Sequence, residues 1–133
     1  MNIEDLLQKA SAASSRTYSP YSSFPVGAAL LCTSGEIYTG TNVENRSFGL
    51  TNCAERSALF TAVSAGEREF SALAVVAPLS DVPVPPCGAC RQVLSEFVAQ
   101  DFPVYFAGKT LSYVKKTMGE LLPYDSLHEL RPQ

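Results

Sequence analysis

The chain has 133 residues, 46% of them hydrophobic, and a formal net charge of −3. That length suits one domain, residues 1–133, with a core of its own. The acidic balance lacks the electrostatic footprint of a DNA or RNA binder, and apolar runs such as Ala72 to Leu79 fall far short of the roughly 20 residues of a membrane span.

The opening Met1-Asn2-Ile3-Glu4-Asp5 is acidic and lacks a signal-peptide core, so a cytoplasmic setting with reduced thiols is expected. Ile3, Leu6, Leu7, Ala10 and Ala13 share one helical face, with Asn2 as cap. This predicts a packing helix without chemistry. Thr17 to Pro25 is rich in Ser, Tyr and Pro and reads as a loop carrying Phe24. From the residues alone, Phe24 is core filling.

Val26 to Cys32 and Ile37 to Val43 read as a hairpin joined at Ser34-Gly35. Cys32 belongs in its core. Asn42 and Glu44, two apart on a strand, share a face. An amide and a carboxylate side by side suit ribose hydroxyls, which both donate and accept hydrogen bonds. The competing reading is a polar strand end in solvent.

Asn45 to Leu50 is a loop leading to Thr51-Asn52-Cys53-Ala54-Glu55-Arg56, where Asn52 can cap a helix whose apolar residues are Ala54, Ala58, Ala62 and Val63. Gly66 suits its end. Alone, Cys53 reads as a buried thiol and Glu55 as the partner of Asn52 in a capping box. Arg56 is either a solvated arginine or a donor to a neighbouring sulfur.

Ser71 to Ala77 predicts a buried central strand. A proline-rich loop, Asp81 to Pro86, leads into Cys87-Gly88-Ala89-Cys90 and a helix reaching about Gln100. Phe102 to Phe106 and Leu111 to Val114 follow as strands, joined too tightly for a crossover and so antiparallel. Gly119 to Leu122 is a last helical turn. His128, the sole histidine, sits in a polar tail with no partner nearby. The order α-β-β-α-β-α-β-β predicts an α/β sheet covered by helices on both faces.

Three of the four cysteines, Cys53, Cys87 and Cys90, then fall at two helix starts. Unpaired N–H groups and the positive dipole end favour thiolate there. Three thiolates hold zinc and leave a fourth position for water, with Glu55 beside them as a proton carrier. A redox C-x-x-C pair or a closed structural zinc is the alternative, although Cys32 lies far from the motifs.

Cys53-Ala54-Glu55 with Pro86-Cys87-Gly88-Ala89-Cys90 resembles the all-cysteine form of the zinc nucleobase deaminase constellation. Tyr21-Ser22-x-Phe24-x-Val26-Gly27-Ala28-Ala29, Asn42-Val43-Glu44-Asn45, Gly49 through Arg56 and Pro86 through Gln92 together resemble the small, tetrameric cytidine deaminases of free-nucleoside salvage. The likeness runs to about Pro123. It implies a three-layer α/β/α fold with a mixed five-stranded sheet and one zinc per chain on Cys53, Cys87 and Cys90. It implies Glu55 as the catalytic acid and base, and Phe24, Asn42, Val43, Glu44 and Ala54 as substrate contacts. Arg56, beside Glu55, is the candidate donor to a ligand sulfur. The implied reaction is hydrolysis of cytidine and deoxycytidine to uridine and deoxyuridine by a homotetramer acting on a free nucleoside. Arg46 and Phe48 depart from the usual family residues, and Tyr124 is a candidate for the C-terminal stacking aromatic. Another aminopyrimidine nucleoside is the alternative substrate.

Overall fold

The computed structural model describes residues 2–132. Helix α1, Ile3–Ala13, starts at Asn2, whose side chain accepts the Glu4 N–H at 2.9 Å. Five strands follow in one sheet: β1 Gly27–Cys32, β2 Ile37–Thr41, β3 Phe70–Val76, β4 Pro103–Ala107 and β5 Tyr113–Thr117. Their spatial order is β2-β1-β3-β4-β5. Every neighbouring pair is antiparallel except β3 with β4. That parallel pair needs a crossover, which helix α3, Gly88–Ser95, supplies. Helix α2, Ala54–Ser64, lies between β2 and β3 in sequence, and α4, Met118–Leu121, follows β5.

Side chains alternate across the strands and divide the core in two. Ala29, Ala72, Ala74, Val76 and Ala107 face Leu6, Leu7 and Ala10 of α1. Ala28, Leu30, Cys32, Leu73, Val75, Val104 and Phe106 face Ala58, Leu59 and Ala62 of α2 and Leu94 of α3. The result is a three-layer α/β/α sandwich on a mixed five-stranded sheet. Gly40 shows how close α2 comes to β2, because a Cβ there would lie 2.3 Å from the Ala58 nitrogen. Gly66, at φ +102°, turns the chain out of α2, with the Glu67 N–H reaching back to the Ala62 carbonyl.

Several boundaries differ from the sequence expectation. The strand expected to reach Val43 ends at Thr41, and Val43 makes isolated bridges to Tyr18 and Asn52. The helix expected to reach Gln100 stops at Ser95. There the Ser95 hydroxyl donates to the Gln92 carbonyl, and the Glu96 and Phe97 N–H groups close onto carbonyls only three residues back. Phe97 still packs on the core, which explains the continuing apolar period. The last strand begins at Tyr113, two residues beyond the expected Leu111, because Leu111 sits at φ +62° and cannot extend a strand. The final turn opens one residue early, on a capping box between Thr117 and Glu120. Among the described residues no helix is long and apolar enough to cross a membrane.

Candidate active site

Two helix starts in the same layer meet at one end of the sheet. Cys53 is the N-cap of α2 and Cys87 the N-cap of α3, both with extended backbone. The expected cap, Asn52, instead donates from Nδ2 to the Ser57 hydroxyl at 3.1 Å. Cys90 lies in the first turn of α3, and its N–H donates to Cys87 Sγ at 3.4 Å.

These positions bring three sulfurs together. Cys53 Sγ and Cys87 Sγ are 3.5 Å apart, and Cys87 Sγ and Cys90 Sγ are 3.3 Å apart. A tetrahedral zinc with Zn–S bonds of about 2.3 Å has sulfur–sulfur edges of about 3.8 Å. The trio therefore needs only a small expansion to hold the ion. It is the one cluster of three metal-ligating side chains among the described residues. Cys32 is buried in β1, away from it, where burial pushes its thiol up to about 11. His128 lies in an exposed turn, His128–Leu130.

The electrostatics favour a cation. Hydrogen bonds from Cys90, Arg56 and Cys87 hold the Cys53 thiol down at about 5, against its partial burial. Cys90 is pushed up, first because its thiol donates to Cys53, then by burial and by the Glu55 charge. A thiol proton thus sits where a metal cation would replace it. Arg56 donates from Nη2 to Cys53 Sγ at 3.4 Å. Its own guanidinium is held more firmly protonated by that sulfur.

Glu55 is 4% exposed. Burial, reinforced by the negative Cys53, pushes its carboxyl up to about 7. It lines a cavity of about 380 Å³ together with Cys53, Cys87 and Ala54. A carboxyl titrating near neutrality beside a metal site can both take and give a proton.

The same cavity gathers Phe24, Asn42 and Glu44. Asn42 is nearly buried, and its Oδ1 accepts from the Thr17 hydroxyl at 2.6 Å and the Val26 N–H at 3.0 Å. Its Nδ2 donates to the Phe24 carbonyl at 2.8 Å, which leaves one N–H to spare. Glu44 Oε1 accepts the N–H groups of Tyr21 and Ser22, and Oε2 accepts the Ser22 hydroxyl. Those bonds, the Ser22 hydroxyl foremost, hold the Glu44 carboxyl below its usual range. A fourth acceptor position remains. The cavity therefore offers one amide donor next to one carboxylate acceptor.

Val43 does not line the cavity. Its backbone bridges Tyr18 and Asn52, and its side chain is half exposed. Cys90 and Arg56 do not line the cavity either. Tyr124 is fully exposed and outside it, as is Arg46. Ser22, Thr51, Val75, Val84 and Pro85 line the cavity without having been singled out in the sequence. For Val84 and Pro85 a signal existed: a loop that ends on a metal ligand must pass beside the metal.

Residues 1–106 match the family model described as the cytidine and deoxycytidylate deaminase zinc-binding region. A cytidine deaminase from Sporosarcina psychrophila is 50% identical over 123 residues, which cover 92% of this chain and 90% of that protein. One from Halalkalibacterium halodurans is also 50% identical, over 92% of each chain. The crystal structure of cytidine deaminase from Burkholderia pseudomallei matches with a TM-score of 0.90 at 45% identity, covering 93% of this chain and 98% of that one.

Proposed function

The chain belongs to the cytidine and deoxycytidylate deaminase family, and from that premise we propose that it hydrolyses cytidine and deoxycytidine to uridine and deoxyuridine with release of ammonia. It is a zinc-binding enzyme of pyrimidine deamination. Cys53, Cys87 and Cys90 hold the metal, one ion per chain. Zinc so held supplies Lewis acidity to the attacking water.

The remaining chemistry belongs to side chains. Glu55 takes one proton of that water and gives it to N3 of the pyrimidine as the oxygen bonds to C4. It then takes the remaining proton of that oxygen and gives it to the amine, which leaves as ammonia while the C4 carbonyl forms. Protonating N3 makes C4 more electrophilic. Phe24 lies against the ring, and Ala54 forms wall beside it. The Asn42 amide and the Glu44 carboxylate hold the sugar through one donated and one accepted hydrogen bond. The observation that carries this reading is the buried Glu55, pushed up to about 7, in the wall of the cavity that Cys53 and Cys87 also line.

A homotetramer is the proposed active form. Phe48 and Leu50, 74% and 72% exposed, stand near the cavity mouth, and Phe48 meets the Tyr21 ring edge-on at 5.7 Å. Such apolar side chains in water suit a covered subunit surface. The cavity's size and the net charge of −3 suit a free nucleoside and no nucleic-acid partner. A three-thiolate site requires reduced cysteines, which supports a cytoplasmic location.

The test is zinc content per chain, followed by ultraviolet monitoring of cytidine, deoxycytidine, cytosine, CMP and adenosine. About one zinc per chain, with turnover of the two cytosine nucleosides alone, is the expected result. Bound zinc without turnover of any of them overturns the substrate assignment.

A further inference from the structure

The segment from the end of β3 to α3 delivers Cys87, the most exposed of the three sulfurs, and puts Val84 and Pro85 into the cavity wall. Its first half is tied down. The Lys109 N–H donates to the Ser80 carbonyl at 2.8 Å, the Ser80 hydroxyl donates to the Val82 carbonyl at 2.7 Å, and Lys109 pairs with Asp81.

Its second half is not. Pro83, Pro85 and Pro86 have no N–H to give. Among the described residues, no backbone group of residues 83–85 makes a hydrogen bond. The Pro86 carbonyl makes one, accepting from Arg91 Nε at 2.8 Å. Arg91 then reaches further, donating from Nη1 to the Leu121 carbonyl at 2.9 Å. Leu121 closes α4, where carbonyls lack helical partners and welcome a cation. One guanidinium therefore spans from the peptide bond preceding Cys87 to the end of the last α-helix.

We propose that Arg91 is a positioning residue for the metal ligand Cys87. By fixing the Pro86 carbonyl it fixes the peptide plane from which the Cys87 side chain departs, and it anchors that plane to α4. The inference rests on the three-cysteine zinc reading. It assigns the forked shape of arginine the essential part, because a lysine has the charge but cannot hold two carbonyls at once.

The experiment uses the full chain loaded with zinc and follows transfer of the metal to an excess of a chromophoric chelator. Circular dichroism first confirms that each variant is folded at the working temperature. Arg91→Lys and Arg91→Gln should both release zinc about 10- to 100-fold faster than the parent chain. Lys109→Ala, which removes the exposed pair in the first half of the same segment, should release it at the parent rate. Parent-like release from folded Arg91→Lys overturns the proposal, and so does equal acceleration by Lys109→Ala. Arg91→Lys keeps the charge and most of the stem, so it decides the matter should Arg91→Gln not fold. A parent chain that takes up no zinc defeats the zinc reading itself. A parent chain with one zinc and an unmoved Arg91→Lys defeats only the role given to Arg91.

Discussion

Arg56 Nη2 donates to Cys53 Sγ at 3.4 Å, although Arg56, unlike Cys53, does not line the cavity. In zinc-stripped protein that contact helps hold the Cys53 thiol down at about 5. Cys53 should therefore react with iodoacetamide as a thiolate at pH 6 to 7. Arg56→Gln should slow that reaction. Cys32, pushed up to about 11 by burial, should stay unlabelled until the chain is denatured. Peptide mass spectrometry of timed samples checks all three expectations.

Glu55→Gln should keep its zinc and lose activity by at least about a hundred- to ten-thousand-fold, the usual worth of general acid–base catalysis. Metal analysis and steady-state rates on one preparation test this. Near-normal turnover by the zinc-loaded variant would remove Glu55 from the mechanism.

The same residue gives a pH signature in the metal-free chain. Its folded pKa of about 7 lies above the ordinary 4.5, so the folded state binds the proton more tightly than the unfolded one. The Glu55 contribution to stability must then fall as pH rises from about 4.5 through about 7, by about 3 kcal/mol at most. Cys53, whose thiol is held down at about 5, adds stability over the same range, so the test is the difference: in urea denaturation at pH 5 and pH 8 the parent chain should lose stability relative to Glu55→Gln. Equal pH dependence in both proteins would contradict the buried carboxyl.

Asn42 and Glu44 should separate on mutation. Asn42 ties Thr17, Phe24 and Val26 together inside the protein, so Asn42→Ala should cost about 1–3 kcal/mol of stability as well as raising KM. Glu44 holds groups that water can reach. Glu44→Gln should raise KM for cytidine with little change in the urea midpoint. Paired denaturation and kinetic curves decide this.

Gly40→Ala should destabilise the fold by about 2 kcal/mol or more. The added methyl would meet the Ala58 nitrogen at 2.3 Å and the Ala54 carbonyl at 2.8 Å, both of them backbone atoms. Because α2 carries Cys53 and Glu55 at its start, turnover should fall with the melting temperature.

The sequence announced the metal trio because Cys53 and the Cys87–Cys90 pair each sit where an apolar helical period begins. Period 2 and period 3.6 placed the strands and helices to within a few residues. What was illegible depended on the third dimension. Phe97 is apolar because it reaches the core from a turn, and so it mimics a longer α3. Leu111 looks like strand, yet its positive φ is visible only in the folded chain. Asn52 has the side chain of a cap, but Cys53, one of the three clustered cysteines, occupies that position. Thr17 became connected to the site only when the loop folded back on Asn42, 25 residues away.

Cys53 and Cys87 are separated by 34 residues, and β3 runs between them. A metal ion joining their sulfurs is therefore also a clasp on the polymer. It closes a long loop, shrinks the freedom of the unfolded chain and favours the folded one for as long as it stays bound. Catalytic competence and resistance to heat then share a single atom. A batch of this enzyme that has lost metal should announce it as a second, lower melting transition before any assay is run.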